Sequence, residues 1–269
     1  MSAVPEQVRL FAEEPGWFLP DPSPPSRNIR DERFVVALGA AEWMTRVTAV
    51  RAEPDGVETL VEDVRAIVAA AGYERAAWAV GPSCRPADLV QRLLALGFVS
   101  AEQPPLEPFF TAMALVEPPL MGDTRGVSVR KVETLDDFRR ADRILVADSG
   151  VTDEELASFE ASALERWDAY VTRGIQLRFL AVVDGEPVGA GQLFPSEVGG
   201  LLGGSATVPA ARGRGAYRAL VRARWEEVVS RGTPALVIQA GAMSRPILER
   251  VGFEPLFDVP LLLDPATQA

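Results

Sequence analysis

Short Val- and Thr-rich runs along this chain alternate with stretches whose apolar residues recur at helical spacing, and glycine or proline stands between them. Arg33–Leu38 and Met44–Arg51 read as strands. Val57, Leu60, Val61, Val64, Ile67 and Val68 share one helical face, which predicts a helix over Val57–Ala71 stopped by Gly72. A strand over Ala76–Val80, a helix over Pro86–Leu96 ending at Gly97-Phe98, and a strand over Phe110–Val116 complete this half. Ahead of it, residues 1–30 carry Pro15, Pro20, Pro22, Pro24 and Pro25 and read as a short helix followed by an irregular stretch.

Pro118, Pro119, Gly122 and Gly126 read as a linker. Beyond it come a strand over Val127–Val132 and an acidic helical region from Leu135 to about Arg173, interrupted near Gly150. Phe179–Val183 and Pro187–Phe194 read as a hairpin turning at Asp184-Gly185. A strand over Leu201–Val208 leads to Arg212-Gly213-Arg214-Gly215 and a helix to about Arg231, with Gly232 as its stop. A strand over Ala235–Gln239, a helix over Pro246–Val251 ending at Gly252-Phe253, and a strand over Val259–Leu263 close the chain. The halves repeat one order: Ser83-Cys84-Arg85-Pro86 precedes Leu96-Gly97-Phe98 as Ser244-Arg245-Pro246 precedes Val251-Gly252-Phe253. Two α/β domains are expected, over 1–120 and 121–269.

Composition narrows the chemistry. Across 269 residues, 27 Lys and Arg face 38 Asp and Glu, a net charge of −11 that repels the phosphates of nucleic acid and anionic membranes. The count of histidines is zero, which removes Ser-His-Asp and Cys-His triads, two-His zinc motifs and imidazole acid/base catalysis. Cys84, the single cysteine, cannot form an internal disulfide. It reads as a packed residue, and Trp43, Trp78, Trp167 and Trp225 read as core or interface anchors. No cluster has metal-ligand spacing, so no metal is expected. Met1–Arg9 lacks the pattern of a signal peptide, and no apolar run of about 18 residues appears, so a cytoplasmic protein is expected.

Against that acidity, Arg212-Gly213-Arg214-Gly215-Ala216-Tyr217, continued by Arg218, Arg222 and Arg224, is a local basic cluster between a strand and a helix. Its glycines let the backbone turn tightly, and the new helix offers N–H donors at the positive end of its dipole. Such a turn is built for a phosphate or pyrophosphate.

Together with Thr207-Val208-Pro209 before it, and with Ile247-Leu248-Glu249-Arg250-Val251-Gly252-Phe253 some thirty residues later, this segment resembles the GNAT family of N-acetyltransferases. The first block is similar to that family's pyrophosphate signature, and the second to its closing helix and Gly-Phe turn. The resemblance covers about Val127–Leu263. It implies an α/β (α+β) fold of two tandem domains, each a mixed, mostly antiparallel sheet flanked by helices, the catalytic sheet splayed at its centre. Acyl-CoA would bind there, its pantetheine beside the strand ending at Thr207 and Val208. The pyrophosphate would lie on the N–H groups of Arg212, Gly213, Arg214, Gly215, Ala216 and Tyr217.

The first half resembles a decayed copy. Where the signature belongs it has Glu53-Pro54-Asp55-Gly56, two carboxylates and a proline without an N–H, so one CoA site is expected. Other positions depart from the family pattern. Tyr217 stands where Gly or Ala is usual, Gly241 where Asn is frequent, and Leu248 where a Tyr protonates the leaving thiolate. With imidazole absent, Glu197 is a candidate base and Ser205 a candidate proton relay. Asp148, Asp153, Glu154 and Glu155 lie where acceptor helices belong and would suit a cationic acceptor. The expected activity is acetyl transfer from acetyl-CoA to a small-molecule amine, with the N–H of Val208 or a neighbour polarising the thioester carbonyl. The alternative is a CoA-binding sensor or interaction module without transferase activity.

Overall fold

The structure is a computed structural model that describes residues 3–22, 26–39, 42–102, 107–120, 122–124, 126–147, 157 and 159–265. The chain forms two compact units of mixed α/β build. The N-terminal unit takes Arg9–Met113 with Gln239–Pro246 and Pro255–Ala269, and the C-terminal unit takes Met1–Val8, Ala114–Ile238 and Ile247–Glu254.

In the N-terminal unit, α1 (Glu6–Glu13) leads to β1 (Arg27–Asp31), β2 (Phe34–Leu38) and β3 (Arg46–Thr48), paired antiparallel in that order. β3 runs parallel to β4 (Ala77–Ala79), the two joined by α2 (Val57–Ala70). Val57, Leu60, Val61, Val64 and Val68 of α2 are buried against Trp78, Leu89 and Leu93, the last two from α3 (Leu89–Ala95). Trp78 is fully enclosed, its ring edge-on to Phe98, and Cys84 is packed in the same core. The chain's last strand, β12 (Glu254–Leu263), joins this sheet rather than closing the other unit. Leu261 and Leu263 register with Ala79 and Ala77, β5 (Val99–Ser100) pairs at the same end, and β6 (Phe109–Leu115) follows on the far side.

The C-terminal unit is built on an antiparallel run of β7 (Val127–Lys131), β8 (Leu177–Val183), β9 (Glu186–Pro195) and β10 (Gly200–Thr207). β11 (Leu236–Ala240) then adds parallel to β10. The β8–β9 hairpin turns at Asp184-Gly185, both at positive φ. α4 (Leu135–Val146) starts where Thr134 Oγ1 accepts the Asp137 N–H at 3.2 Å. It buries Phe138, Ala141 and Ile144 against Leu180 and Ala190, with Trp167 and Tyr170 of α5 (Ala163–Arg173) alongside. α6 (Ala216–Ser230) packs on β7 to β10, with Leu220, Trp225 and Val228 buried. Among the described residues, no helix is long and apolar enough to cross a membrane. The side chain of Trp43 lies outside the described residues.

Candidate functional site

The site begins with a strand that loses its partner. β10 registers with β11 only at Gly200–Leu236 and Leu201–Val237, and its ladder to β9 is interrupted by a bulge between Leu202 and Ser205. Past the bulge, Ser205, Ala206 and Thr207 face Gly191, Ala190 and Gly189 of β9. The Val208 N–H continues that ladder by donating to the Val188 carbonyl at 2.9 Å. In an antiparallel ladder successive residues turn their N–H to opposite sides. With Val208 turned to β9, the N–H groups of Thr207 and Ser205 face the edge where β11 has parted. Arg212 Nε, donating to the Thr207 carbonyl at 3.2 Å, lies on that same outward side. Val208 itself therefore has no N–H for a thioester, and the donors at this edge are its neighbours.

After a 3-10 turn over Pro209–Ala211, the chain reverses with Gly213 at φ +80° and Gly215 at φ +87°, where side chains are strained. The Arg212 and Arg214 N–H groups are engaged by the carbonyls of Pro209 and Ala211. Those of Gly213, Gly215, Ala216, Tyr217 and Arg218 meet no acceptor among the described residues; the first helical bond is Ala219 N–H to Gly215. Gly215 caps a helix of 15 residues with no side-chain cap. These donors form an anion cradle at a helix N-terminus. The Arg212 and Arg214 side chains are exposed, Arg214 in a solvated pair with Asp184 at 3.2 Å.

No family model and no curated protein matches the chain. Solved structures do. A GCN5-related N-acetyltransferase from Kribbella flavida is 16% identical over 98% of this chain and 97% of its own, at a TM-score of 0.65. The chain has the GNAT fold. A tandem GNAT protein from the clavulanic acid biosynthesis pathway is 15% identical over 100% of this chain and 90% of its own, at 0.63. A GCN5-related N-acetyltransferase from Sphaerobacter thermophilus is 18% identical over 86% of this chain and 76% of its own, at 0.55.

Within that GNAT fold the candidates separate. Ser205 sits on β10 two residues beyond Gly203 of the bulge, half-buried, its Oγ accepting from Arg224 Nη1 at 2.8 Å. Tyr217, on the first turn of α6, is half-buried, and burial raises its pKa although the nearby Arg224 charge works the other way. Glu197 is exposed in the β9–β10 turn, at the Gly200 end of β10, and is not brought together with the arginine turn at the Thr207 end. Leu248 is completely buried, an apolar core residue that offers no proton. Asp148, Asp153, Glu154 and Glu155 lie outside the described residues.

The basic cluster expected along α6 divides by helical angle. Arg222 pairs with Glu226 in solvent at 2.7 Å, whereas Arg224 is turned fully into the core. Between α4 and α5 lies a cavity of about 250 Å³ lined by Arg139, Asp142, Arg143, Phe159, Glu160 and Arg166, among others. Buried Asp142 holds Arg166 at 2.8 Å and also pairs with Arg178, which stacks on Phe138.

At the corresponding turn of the N-terminal unit the two strand ends are tied together. Arg85 N–H donates to Val50 at 2.8 Å and its carbonyl accepts from Ala52 at 3.1 Å, which ties the segment after β3 to the segment after β4. Glu53 precedes a 3-10 turn over Pro54–Gly56, and Gly56 has φ −95°, without the left-handed glycines of the other turn. Near the same strand ends, Glu13, Glu14 and Cys84 bring ligand-type atoms within 4.8 Å of one another, a juxtaposition that sequence spacing could not reveal. Arg51 and Ser83 already hydrogen-bond these carboxylates.

Proposed function

We propose that this protein is an acyl-CoA-dependent N-acyltransferase that moves acetyl from acetyl-CoA to an amine of a small molecule. The cradle at Gly213–Arg218, set where β10 parts from β11, is the observation that carries this reading. A pyrophosphate suits the five N–H donors and the positive helix end, with the Arg212 and Arg214 side chains adding charge at the rim. The pantetheine arm suits the unpaired edge of β10, where it would take up the ladder that β11 leaves. In this proposal residues 121–269 carry the chemistry and residues 1–120 are a silent copy.

The amine attacks the thioester carbonyl, and the oxyanion meets the N–H groups of Ser205 and Thr207 instead of the engaged Val208 N–H. The cavity between α4 and α5 is the proposed place for the acceptor. A second reading, a CoA-binding module without turnover, is favoured by the buried Leu248, which leaves no proton donor at that position. Incubation of acetyl-CoA with a panel of small amines, read by release of free thiol, tests the two. Turnover with any amine supports the transferase, and binding by calorimetry with thiol release at the background rate supports the module.

A further inference from the structure

Arg224 is a costly residue for the place it occupies. It is fully enclosed, on the α6 face that also buries Leu220, Val221 and Val228. Its Nε donates to the Leu220 carbonyl at 3.0 Å, and Nη1 donates to the Gln192 carbonyl at 3.1 Å and to Ser205 Oγ at 2.8 Å. Nη2 is buried without a partner, and no carboxylate pairs with the guanidinium among the described residues. Burial pulls its pKa down to about 10, with the Tyr217 hydroxyl acting in the other direction, so it is a cation at neutral pH. A buried charge without a counter-ion is a net cost that an apolar side chain of similar volume avoids.

The fold nevertheless makes room for it. A Cβ on Gly191 would come within 3.1 Å of Cζ and Nη1 and 3.2 Å of Ser205 Oγ, so β9 leaves out a side chain where the guanidinium lies. The one partner that leads toward the candidate site is Ser205, just past the bulge on the strand whose edge is unpaired. Ser205 Oγ accepts from the arginine, and its own proton has no acceptor within reach among the described residues. A hydroxyl that accepts from a guanidinium is a stronger donor, because the bonds polarise one another.

Resting on the transferase reading above, we infer that Arg224 is a positioning residue for acyl transfer, acting through the Ser205 hydroxyl on the negative charge that develops at the thioester sulfur. The amine nitrogen forms a bond to the carbonyl carbon, and the C–S bond then breaks with its electron pair moving onto sulfur. Ser205 donates a hydrogen bond to that sulfur as the charge appears, and the buried cation behind it favours the charge. The proton carried by the attacking nitrogen ends on the thiolate, so Ser205 keeps its own. This supplies in part what the buried Leu248 cannot.

The test compares wild type with Arg224→Met, Ser205→Ala, Ser205→Thr and the Arg224→Met/Ser205→Ala pair, measuring kcat, KM for acetyl-CoA and Tm. Removing a donor aimed at developing charge lowers kcat by about 10²-fold. Arg224→Met should show that loss with KM within about threefold and Tm unchanged or raised, because a buried unpaired charge has gone. Ser205→Ala should lose as much, Ser205→Thr should recover most of it, and the pair should be no slower than the slower single variant. Arg224→Met with lowered Tm and unchanged kcat in the folded fraction overturns the role, and so do losses that multiply in the pair. If Arg224→Met does not fold, an unchanged kcat in Ser205→Ala overturns it. A wild-type protein without turnover on any amine overturns the transferase reading itself and this role with it.

Discussion

Gly215 and the carbonyl of Asp123 stand too close for any side chain between them: a Cβ on Gly215 would overlap that oxygen and lie 3.2 Å from the Thr124 Cα. The segment expected to be a plain linker thus lies across the turn that heads α6. Gly213, at φ +80°, has open space around its Cβ position, while Gly215 is held both by φ +87° and by this contact. Gly215→Ala should therefore cost more than Gly213→Ala, whose penalty is the left-handed backbone alone, about 1–2 kcal/mol. Calorimetry with acetyl-CoA should give at least a tenfold weaker Kd for Gly215→Ala and a smaller loss for Gly213→Ala. Equal affinities in the two variants would refute the packing argument.

Glu197 should be dispensable. β10 has 8 residues between the turn that holds Glu197 and the arginine turn, so about 25 Å of strand separates them at 3.3 Å per residue. Glu197→Gln should leave kcat within about twofold and the pH–rate profile in place, since an effective base must reach its proton within a hydrogen bond or one water. With imidazole absent, the rising limb should follow the pKa of the acceptor amine. A flattened limb in Glu197→Gln would return the role to this residue.

The parts of the fold legible in the sequence are those fixed by local periodicity and turn chemistry. The apolar face from Val57 to Val68 marks α2, the Asp184-Gly185 turn marks the β8–β9 hairpin, and the glycines at 213 and 215 mark the left-handed turn. Strand β1, Arg27-Asn28-Ile29-Arg30-Asp31, carries the charges of a sheet edge and so lacks the apolar alternation that would announce it. The pairing of β12 with β4 is non-local, and nothing around Val259–Leu263 specifies its partner. Arg224 was legible in principle. At 100° per residue it falls with Leu220, Val221 and Val228, not with Arg218 and Arg222, and grouping it by charge hides that.

In the N-terminal unit, Ser83 Oγ lies 2.6 Å from Glu13 Oε1 and 2.8 Å from Glu14 Oε1, and one hydroxyl proton cannot serve both. Arg51 donates to both oxygens of Glu14 at 2.9 Å, and Glu13 has no such guanidinium bond among the described residues. Burial raises its pKa above the ordinary carboxylate value, although hydrogen bonds from Ser83 oppose the shift. The folded state thus binds this proton better than the unfolded chain. The stability it contributes is complete below the ordinary value of 4.5 and lost as pH rises through the higher folded-state value. Glu13→Gln should melt at a higher temperature than wild type at pH 7 to 8 and at the same temperature near pH 4. Thermal melts across that range check it, and a variant less stable at every pH would count against a proton held by Glu13 in the folded state.

The proposed division between an active and a silent copy makes a stoichiometric prediction that the two turns decide. A symmetric tandem would bind two acyl-CoA molecules per chain. Among the described residues, Gly213–Arg218 has five unengaged N–H donors, two exposed guanidinium groups and the positive end of a 15-residue helix, beside a strand edge that β11 leaves unpaired. At Glu53–Gly56 there are two exposed carboxylates, a proline without an N–H and a Gly56 N–H already donated to the Glu53 carbonyl at 2.9 Å. There the Val50–Arg85 and Arg85–Ala52 hydrogen bonds also occupy the edge that a pantetheine arm would need. Replacing one such bond by a ligand bond gains nothing net, whereas filling an unpaired edge does. The anion then meets donors and cations at one turn and carboxylates at the other. Titration calorimetry with acetyl-CoA should give one site per chain. Arg212→Ala/Arg214→Ala should weaken that site by about 1–2 kcal/mol, a loss kept small by solvent screening of exposed charges and larger at low salt. Gly215→Ala should weaken all of the binding rather than half of it. Two sites of similar affinity, or a Gly215→Ala protein that keeps one intact site, would show that the N-terminal copy binds acyl-CoA after all.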